Sequence, residues 1–293
     1  MEMTRSKSRD VACNVSIENI DLLPPHNHPN YRLWANYAVF ANVRGELVAD
    51  IIEQHQPLVN LKILDAGFGM GGTSAALVSR GATVVAIEFN PHKVTRLQNR
   101  ILATDRLSVL LGDAQQPDFA EATFDWIIFQ DVLEHLPHPD KALANARRIL
   151  KPNGRLYIST PNRWSLLNLI SDPHWNLPLV GTLPRKAVEF FITKLTRREA
   201  LHRPDFAALF SLRKLRHWLK QSHFCFHFVN KAVAYRLFEN PTGVVNSDLH
   251  IRAVELINKM SLAKTLCVLV NDRCGLFNHF INPTWYLIAQ KTS

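Results

Sequence analysis

The chain has 293 residues, 47% of them hydrophobic, and a formal net charge of +9 at pH 7, so it can bury a full doubly wound α/β core and still form a cap. Its four cysteines (Cys13, Cys225, Cys267 and Cys274) form no C-x-x-C pair and no zinc-type cluster with histidine, which predicts a reduced, cytoplasmic protein. The polar first ten residues and the shortness of every apolar run predict neither a secretory signal nor a transmembrane segment.

The first predicted element is a helical segment over residues 28–55. Leu33, Tyr37 and Phe40 are among its apolar positions, and Gly45 is predicted to break it. Such a segment can close over a ligand or simply pack on a sheet edge, and the pattern leaves both roles open.

A glycine-rich turn follows over residues 61–74, where a short apolar strand leads into a helix. The helix is predicted from Gly72 to Arg80, with Gly81 as its stop. Glycines let the backbone turn tightly and approach a ligand closely, and the positive end of the helix points at the turn. These features predict a pocket for a nucleotide-type cofactor.

Residues 67–72 fit both the dinucleotide fingerprint G-x-G-x-x-G and the pattern acid-x-G-x-G-x-G that binds S-adenosylmethionine. Asp65 favours the second pattern, because its carboxylate would repel a pyrophosphate but attract ammonium and sulfonium groups. The alternative is that Asp65 only caps the turn.

Four further strands are predicted in order, at residues 82–87, 107–111, 124–131 and 154–160. Glu88 ends the first of them, where a carboxylate can accept hydrogen bonds from ribose hydroxyls. Asp113 follows the next strand and can accept from an adenine amino group. Alternating strands and helices predict a parallel sheet covered on both faces.

The ordered set, together with residues 130–136 and 148–154, resembles the class I S-adenosylmethionine-dependent methyltransferases over about residues 35–225. Within that family the chain is similar to the group that methylates small molecules, quinones and lipids. The resemblance implies a doubly wound, mostly parallel, seven-stranded sheet with helical cap insertions. It also implies eight cofactor-binding residues, which follow the first four strands: Asp65, Gly67, Gly69, Glu88, Phe89, Asp113, Ala114 and Gln130.

The resemblance assigns these residues to parts of the cofactor. The acid and glycines of the turn would border the methionine part, Glu88 would hold the ribose and Phe89 would flank the adenine. Asp113 and Ala114 would bind the adenine edge, and Gln130 would close the pocket.

His135 is the candidate catalytic residue, because a hydroxyl acceptor must lose its proton and histidine is the commonest base. The alternative is a structural histidine within its loop. Asp131, Glu134 and His135 also have the spacing of the Mg²⁺ ligands of some relatives, but those relatives carry Glu where this chain has Asp131. We predict no resident metal.

We predict a single domain over residues 1–293, with a cap insertion at 163–205 and a second insertion at 230–280. Residues 185–220 hold ten Lys or Arg against three acidic residues, next to a Trp- and Leu-rich stretch at 164–183. Apolar residues beside clustered cations suit an anionic membrane or an amphiphilic acceptor, although a solvated basic face is the alternative. Nucleic acid is not expected as a partner, because no binding module is recognisable.

The sequence therefore predicts O-methylation of a small or lipid-like acceptor by a cytoplasmic enzyme at the inner face of a membrane. Methylation of a sugar hydroxyl and a nicotinamide-dependent oxidoreductase are the alternatives.

Overall fold

The computed structural model describes residues 31–100, 104–175, 177–192, 194, 206–241 and 248–292, and one seven-stranded sheet lies at its centre. The strands are β1 (Lys62–Ala66), β2 (Thr83–Glu88), β3 (Leu107–Leu111), β4 (Phe124–Gln130), β5 (Leu150–Pro161), β6 (Phe224–Phe228) and β7 (Thr284–Lys291). The helices are α1 (Tyr31–Glu53), α2 (Gly72–Ser79), α3 (Pro91–Arg100), α4 (Pro139–Ile149), α5 (Leu166–Ile170), α6 (Arg185–Phe191), α7 (Leu212–Gln221), α8 (Asn230–Glu239), α9 (Asp248–Lys259) and α10 (Ala263–Leu269).

The strand order is β3-β2-β1-β4-β5-β7-β6, and β7 runs antiparallel to the other six strands. The chain winds outward from β1 to β3, then crosses back to β4. Ligands bind at such a reversal because the loops at the carboxyl ends of β1 and β4 diverge there. The predicted fold class is confirmed.

Helices cover both faces of the sheet, because its central strands are apolar on both sides. On one face, Leu143 of α4 and Leu219 of α7 pack with Trp285 of β7. On the other, Ile52 of α1 and Leu77 of α2 pack with Tyr157 of β5. Central strands buried on both faces are typical of parallel sheets.

The prediction that Gly45 breaks the first helix is wrong, since α1 runs through it. A Cβ on Gly45 would lie 2.3 Å from the carbonyl oxygen of Gly72, and a Cβ on Gly72 would lie 2.3 Å from that of Ala41. The two helices therefore cross at backbone contact, which requires glycine on both sides. This packing outweighs the cost of about 1 kcal/mol for glycine within a helix, and it places α1 beside the glycine turn.

Several boundaries differ slightly from the prediction. β5 begins at Leu150 instead of 154, because Leu150 already pairs with Phe124 of β4, ahead of a register shift. The sequence also predicts a sixth strand at 225–229 and a last strand at 283–290. The sixth strand lies one residue earlier than this, and the last strand begins and ends one residue later. The sequence also predicts a helix from Pro91 to about Ala103, and the end of that helix lies outside the described residues.

Buried asparagines tie the start of the cap insertion to the sheet. Asn162 donates to the carbonyl oxygens of Asn278 (3.3 Å), His279 (3.1 Å) and Asn282 (2.9 Å). Asn168 of α5 donates to the carbonyl oxygens of Asn162 (2.9 Å) and Pro283 (2.7 Å). These bonds fix α5 against the π-helical turn Phe277–Ile281.

Within the described ranges, no helix combines the length and apolar content that crossing a bilayer requires. Cys225, Cys267 and Cys274 are free thiols, and Cys13 lies outside the described residues. The domain boundaries at 163–205 and 230–280 stay a prediction.

Candidate functional site

The glycine turn after β1 forms an open cradle at the carboxyl edge of the sheet. Gly67 and Gly69 have φ angles of +80° and +55°, in the region that favours glycine. A Cβ on Gly67 would lie 2.7 Å from a methyl group of Val132, whereas a Cβ on Gly69 would have no atom within 4 Å. Gly69 therefore faces open space, and backbone rather than side chain lines the cradle there.

Asp65 lies buried at the base of this cradle. It is 2% exposed, and Ser74 in the first turn of α2 donates a 2.6 Å hydrogen bond to its Oδ2. Burial, reinforced by the nearby Glu88 carboxylate, raises the pKa of Asp65 to about 6 against the hydrogen bond from Ser74. The contact with α2 fits the turn-capping alternative, but the burial of two acids suits a cationic ligand group.

Glu88 and Asp113 follow the neighbouring strands β2 and β3. Glu88 is buried, accepts a 3.3 Å hydrogen bond from the backbone N–H of Asn90 and pairs with Lys93 at 3.3 Å. Asp113 is exposed and accepts from the backbone N–H of Gln115 at 2.8 Å.

The other two predicted adenine-side residues differ in exposure. Phe89 is 48% exposed and Ala114 is buried. Both lie in the loops that leave β2 and β3, so the fold brings the predicted ribose and adenine residues to one edge of the sheet.

Gln130 connects the end of β4 to the glycine turn. Its side-chain oxygen accepts a hydrogen bond from the hydroxyl of Thr73, which is buried in the first turn of α2. The predicted closing residue therefore lies beside the cradle. Thr73 and Ser74 were missed by the sequence analysis, although hydroxyl residues in the first turn of a helix were a usable signal.

Asp131 is held by a buried cation that the sequence analysis also missed. Arg44 of α1 pairs with Asp131 and donates to Ser159 Oγ at 3.2 Å, while Ser159 donates to Asp131 Oδ1 at 2.8 Å. Burial alone would raise the pKa of Asp131, but the charge and hydrogen bond of Arg44 hold it below its ordinary value. Only the tertiary contact between α1 and β4 identifies this pair.

Glu134 and His135 form a 3₁₀ turn, Leu133–His135, after β4. Glu134 is 1% exposed, and its Oε2 accepts a 3.0 Å hydrogen bond from Thr160. Its Oε1 has no hydrogen bond within the described part of the chain and lies 3.8 Å from His174 Nε2. Burial and the charge of Asp131 raise the pKa of Glu134 to about 7, against the opposing effect of His135.

The cap insertion brings His174 onto this turn. Its ring meets that of His135 edge to face, with centroids 4.9 Å apart. Asp172 positions it by accepting from the backbone N–H groups of His174 (2.9 Å) and Trp175 (3.1 Å). Arg185 of α6 donates to the carbonyl oxygens of Glu134 and Leu136, both at 2.9 Å, so the insertion is clamped to the 3₁₀ turn.

The residues that could hold a metal are not the same set that the sequence spacing indicates. Glu134, His135 and His174 offer ligand atoms within 4.8 Å of one another, whereas Asp131 is already paired with Arg44. The absence of a resident metal stays a prediction.

Comparisons with known proteins support the fold and the domain. The family model for a methyltransferase domain matches residues 64–158. The chain is 38% identical over 125 residues to the ubiquinone biosynthesis O-methyltransferase of Xylella fastidiosa strain 9a5c, a match that covers 39% of this chain and 47% of that protein. It is 35% identical over 108 residues to the demethylmenaquinone methyltransferase of Clavibacter sepedonicus, covering 36% and 44%. The chain spans about half the length of these curated relatives.

A solved structure extends the likeness over most of the chain. An S-adenosylmethionine-dependent methyltransferase from Mesorhizobium loti superposes with a TM-score of 0.52 at 14% identity, covering 80% of this chain and 93% of that one. At this identity the superposition shows the fold alone.

Proposed function

Because the chain carries a methyltransferase domain with the class I fold, we propose that it transfers the methyl group of S-adenosylmethionine to a hydroxyl group of a small or lipid-like acceptor. The observation that carries this proposal is the open glycine cradle at Gly69 above the buried carboxylate of Asp65. The curated relatives named for quinone O-methylation support the choice of a hydroxyl acceptor.

The residues present fit this cofactor. Gly69 leaves space for a ligand against the backbone, and Asp65 supplies a carboxylate for the cationic methionine part. Glu88 can accept from the ribose hydroxyls, Asp113 from the adenine amino group, and Phe89 can cover the ring. When bound, the sulfonium supplies an activated methyl group, so the protein has mainly to place the acceptor oxygen in line with it.

His135 takes the acceptor proton in this proposal. Its imidazole lies partly exposed on the turn after β4, at the strand end next to the cradle, where an acceptor can reach both. The buried carboxylate of Glu134 beside it favours the imidazolium that results.

Two alternative functions can each be distinguished from the proposed one by a direct measurement. A nicotinamide-dependent oxidoreductase would be stabilised by NAD in a thermal-shift panel, whereas the proposed enzyme would be stabilised by S-adenosylhomocysteine. A sugar-hydroxyl acceptor would be recognised by mass spectrometry of a deletion strain, as a glycan lighter by one methyl group.

Asp65→Asn should weaken binding of the cofactor and raise the free energy of unfolding of the ligand-free protein. The raised pKa means that the fold prefers neutral Asp65, a stabilisation that is complete below about pH 4 and lost as the pH rises through about 6. At about pH 8 the variant should therefore be more stable, by on the order of 2–3 kcal/mol, with a gain about half as large at about pH 5. S-Adenosylhomocysteine affinity at pH 8 should fall about tenfold or more.

Chemical denaturation at the two pH values and calorimetry measure both effects. Affinity equal to that of the wild type at pH 8 would leave Asp65 with the turn-capping role alone. A stability gain of the same size at both pH values would contradict the burial of an ionised carboxylate.

We further propose that the cap insertion docks on an anionic membrane at the cytosolic face. Four exposed apolar side chains form what we name the α5 face: Trp164, Leu166, Leu167 and Ile170. Leu166 is 60% exposed and Ile170 70%, and Ile170 precedes Asp172, which positions His174, by two residues. A lipid-facing helix here would present an amphiphilic acceptor to the site. The basic residues Arg197, Arg198 and Arg203 of the same insertion lie outside the described residues.

The double change Leu166→Ser/Ile170→Ser should reduce binding to vesicles containing phosphatidylglycerol by at least about tenfold, because apolar side chains stabilise interfacial binding by about 1.5–3 kcal/mol each when fully buried. Co-sedimentation measures this, and binding should also weaken with salt and on changing Arg197, Arg198 and Arg203 to Glu. Val268→Ser is the matched control, since Val268 is 78% exposed on α10, outside the cap. Equal recovery of the double variant and the control would exclude the α5 face.

A further inference from the structure

We propose that Arg163, at the start of the cap insertion, binds an anionic group of the acceptor, a carboxylate or a phosphate, so that the acceptor is an anionic amphiphile. This inference rests on the proposed function and names the substrate class of the same site. It assigns a role to a residue that neither the cofactor cradle nor the proton transfer to His135 uses.

The first support is the uncompensated charge of Arg163. Its guanidinium is part-buried and forms no ion pair within the described residues, whereas the part-buried guanidiniums of Arg44 and Arg80 are paired with carboxylates. Burial lowers the pKa of Arg163, while at Arg44 and Arg80 the carboxylates more than offset the same effect. Removing a charge from water is costly unless an opposite charge accompanies it, so an anionic ligand group would stabilise Arg163.

The second support is the hydrogen bonding of the guanidinium. Nε donates to the carbonyl oxygen of Gly181 at 3.0 Å, and Nη2 donates to that of Leu183 at 2.9 Å. These two bonds fix the plane of the group. Nη1 makes no hydrogen bond within the described part of the chain, and it reaches the solvent. A fixed guanidinium with a free N–H edge suits a carboxylate or a phosphate, because it loses little side-chain entropy on binding.

The third support is the position of Arg163 at one end of the apolar α5 face. Arg163 directly precedes Trp164, the first residue of that face. Gly181, to which Arg163 donates, belongs to the 3₁₀ turn Val180–Thr182, and this turn packs against α5. An anion at Nη1 would therefore have exposed apolar side chains beside it. This arrangement matches a ligand with a charged group and an apolar tail.

Contacts within the cap link this position to the proposed base. Asp172 lies against Gly181, where a Cβ would be 2.8 Å from Asp172 Oδ2. Asp172 also accepts from the backbone of His174, whose ring meets that of His135 at a centroid distance of 4.9 Å. Between the two described side chains of Asp172 and Arg163 there is no ion pair. One acceptor can therefore present its hydroxyl group to His135 and its anionic group to Arg163.

Octyl phosphate and octanol test this assignment, because they share an apolar chain and only one carries an anion. The full-length wild type with saturating S-adenosylhomocysteine should bind monomeric octyl phosphate more tightly than octanol in titration calorimetry. Arg163→Gln should lower the affinity for octyl phosphate about ten- to a hundredfold, the usual loss for an interaction with a charged group, and leave that for octanol unchanged. Arg163→Lys should keep part of the preference, since it retains the charge without the planar fork.

Arg148→Gln is the matched control. Arg148 is also part-buried, and it donates to the carbonyl oxygens of Phe119 (2.7 Å) and Pro117 (3.2 Å). Unlike Arg163, it also uses its third nitrogen, which donates to Asn145 Oδ1 at 3.4 Å, and it lies on α4, outside the cap. The control variant should bind octyl phosphate like the wild type.

A lipid headgroup is the other source of such an anion, so vesicles containing phosphatidylglycerol form the second arm. Arg163→Gln should co-sediment with these vesicles within a few-fold of the wild type. A measurement on the wild type alone covers the case in which the Gln variant does not fold. The side-chain ¹⁵N–¹H signal of Arg163, assigned by its loss in Arg163→Lys, should shift on addition of octyl phosphate and not of octanol.

Three results would overturn the inference. They are octyl phosphate binding that is absent from the wild type or undiminished in Arg163→Gln, equal losses for octyl phosphate and octanol, and a loss confined to vesicles. Equal losses would leave Arg163 with only its bonds to the two carbonyl oxygens, and a loss confined to vesicles would assign it to lipid headgroups. Failure of the wild type to bind S-adenosylhomocysteine would instead overturn the proposed function.

Discussion

Replacing His135 with alanine is expected to lower kcat by about 10²–10⁴-fold while the affinity for S-adenosylhomocysteine stays near that of the wild type. The imidazole lies on the 3₁₀ turn after β4, whereas the predicted cofactor contacts lie on the glycine turn and at the ends of β2 and β3. Removing a base affects only the step in which the acceptor proton leaves. Methyl transfer from radiolabelled S-adenosylmethionine, with the acceptor identified by mass spectrometry of a deletion strain, measures the change.

His138→Ala is the control for this variant, because His138 is exposed in the same loop and should keep full activity. EDTA treatment of the wild type in the same assay addresses the metal alternative, since a site at Glu134, His135 and His174 would lose activity and regain it with added metal. A His135→Ala enzyme with most of its turnover intact would assign His135 to structure.

Gly69→Arg is expected to reduce S-adenosylhomocysteine affinity by more than about a hundredfold with the fold preserved. The side chain would enter open space, because a Cβ at this position meets no atom within 4 Å. The left-handed backbone costs roughly 1–2 kcal/mol for a residue with a side chain, which a domain of this size can absorb. Gly67→Arg is a poorer test, since its Cβ would collide with Val132 and disturb the core. Titration calorimetry measures the affinity for S-adenosylhomocysteine, and circular dichroism checks that the variant is folded.

Gly275→Arg is the matched control for this change. Gly275 also faces open space, but it lies in the second insertion before β7, outside the glycine turn. It should bind S-adenosylhomocysteine like the wild type. Undiminished affinity in Gly69→Arg would show that the cradle is not the cofactor site.

That the proposed cofactor residues meet at one edge of the sheet was predictable from sequence, because these residues follow strands in a fixed order. Each of Asp65, Glu88, Asp113 and Gln130 lies at or just after the end of a β-branched or apolar run. In a parallel sheet those ends meet at one edge, so the order along the chain predicts the position in space. Their contacts with the cofactor stay a proposal.

The helical context was less predictable. Gly45 carries the signal of a helix break, yet it lies within α1 because the contact with Gly72 requires a residue without a side chain. Helix propensity is a local property, and a close crossing of two helices overrides it. The sequence does not show which glycines face such a crossing.

The sequence by itself determined the α/β class, the order of the strands along the chain and the glycine turn, since hydrophobic periodicity and glycine placement are local signals. The tertiary structure alone decided that Arg44 neutralises Asp131 and that His174 meets His135. These partners are 87 and 39 residues apart in the chain, and an ion pair or ring contact over such separations leaves no periodic pattern. The surroundings of Asp131 and His135 are therefore determined by how α1 and the cap insertion pack against the end of β4.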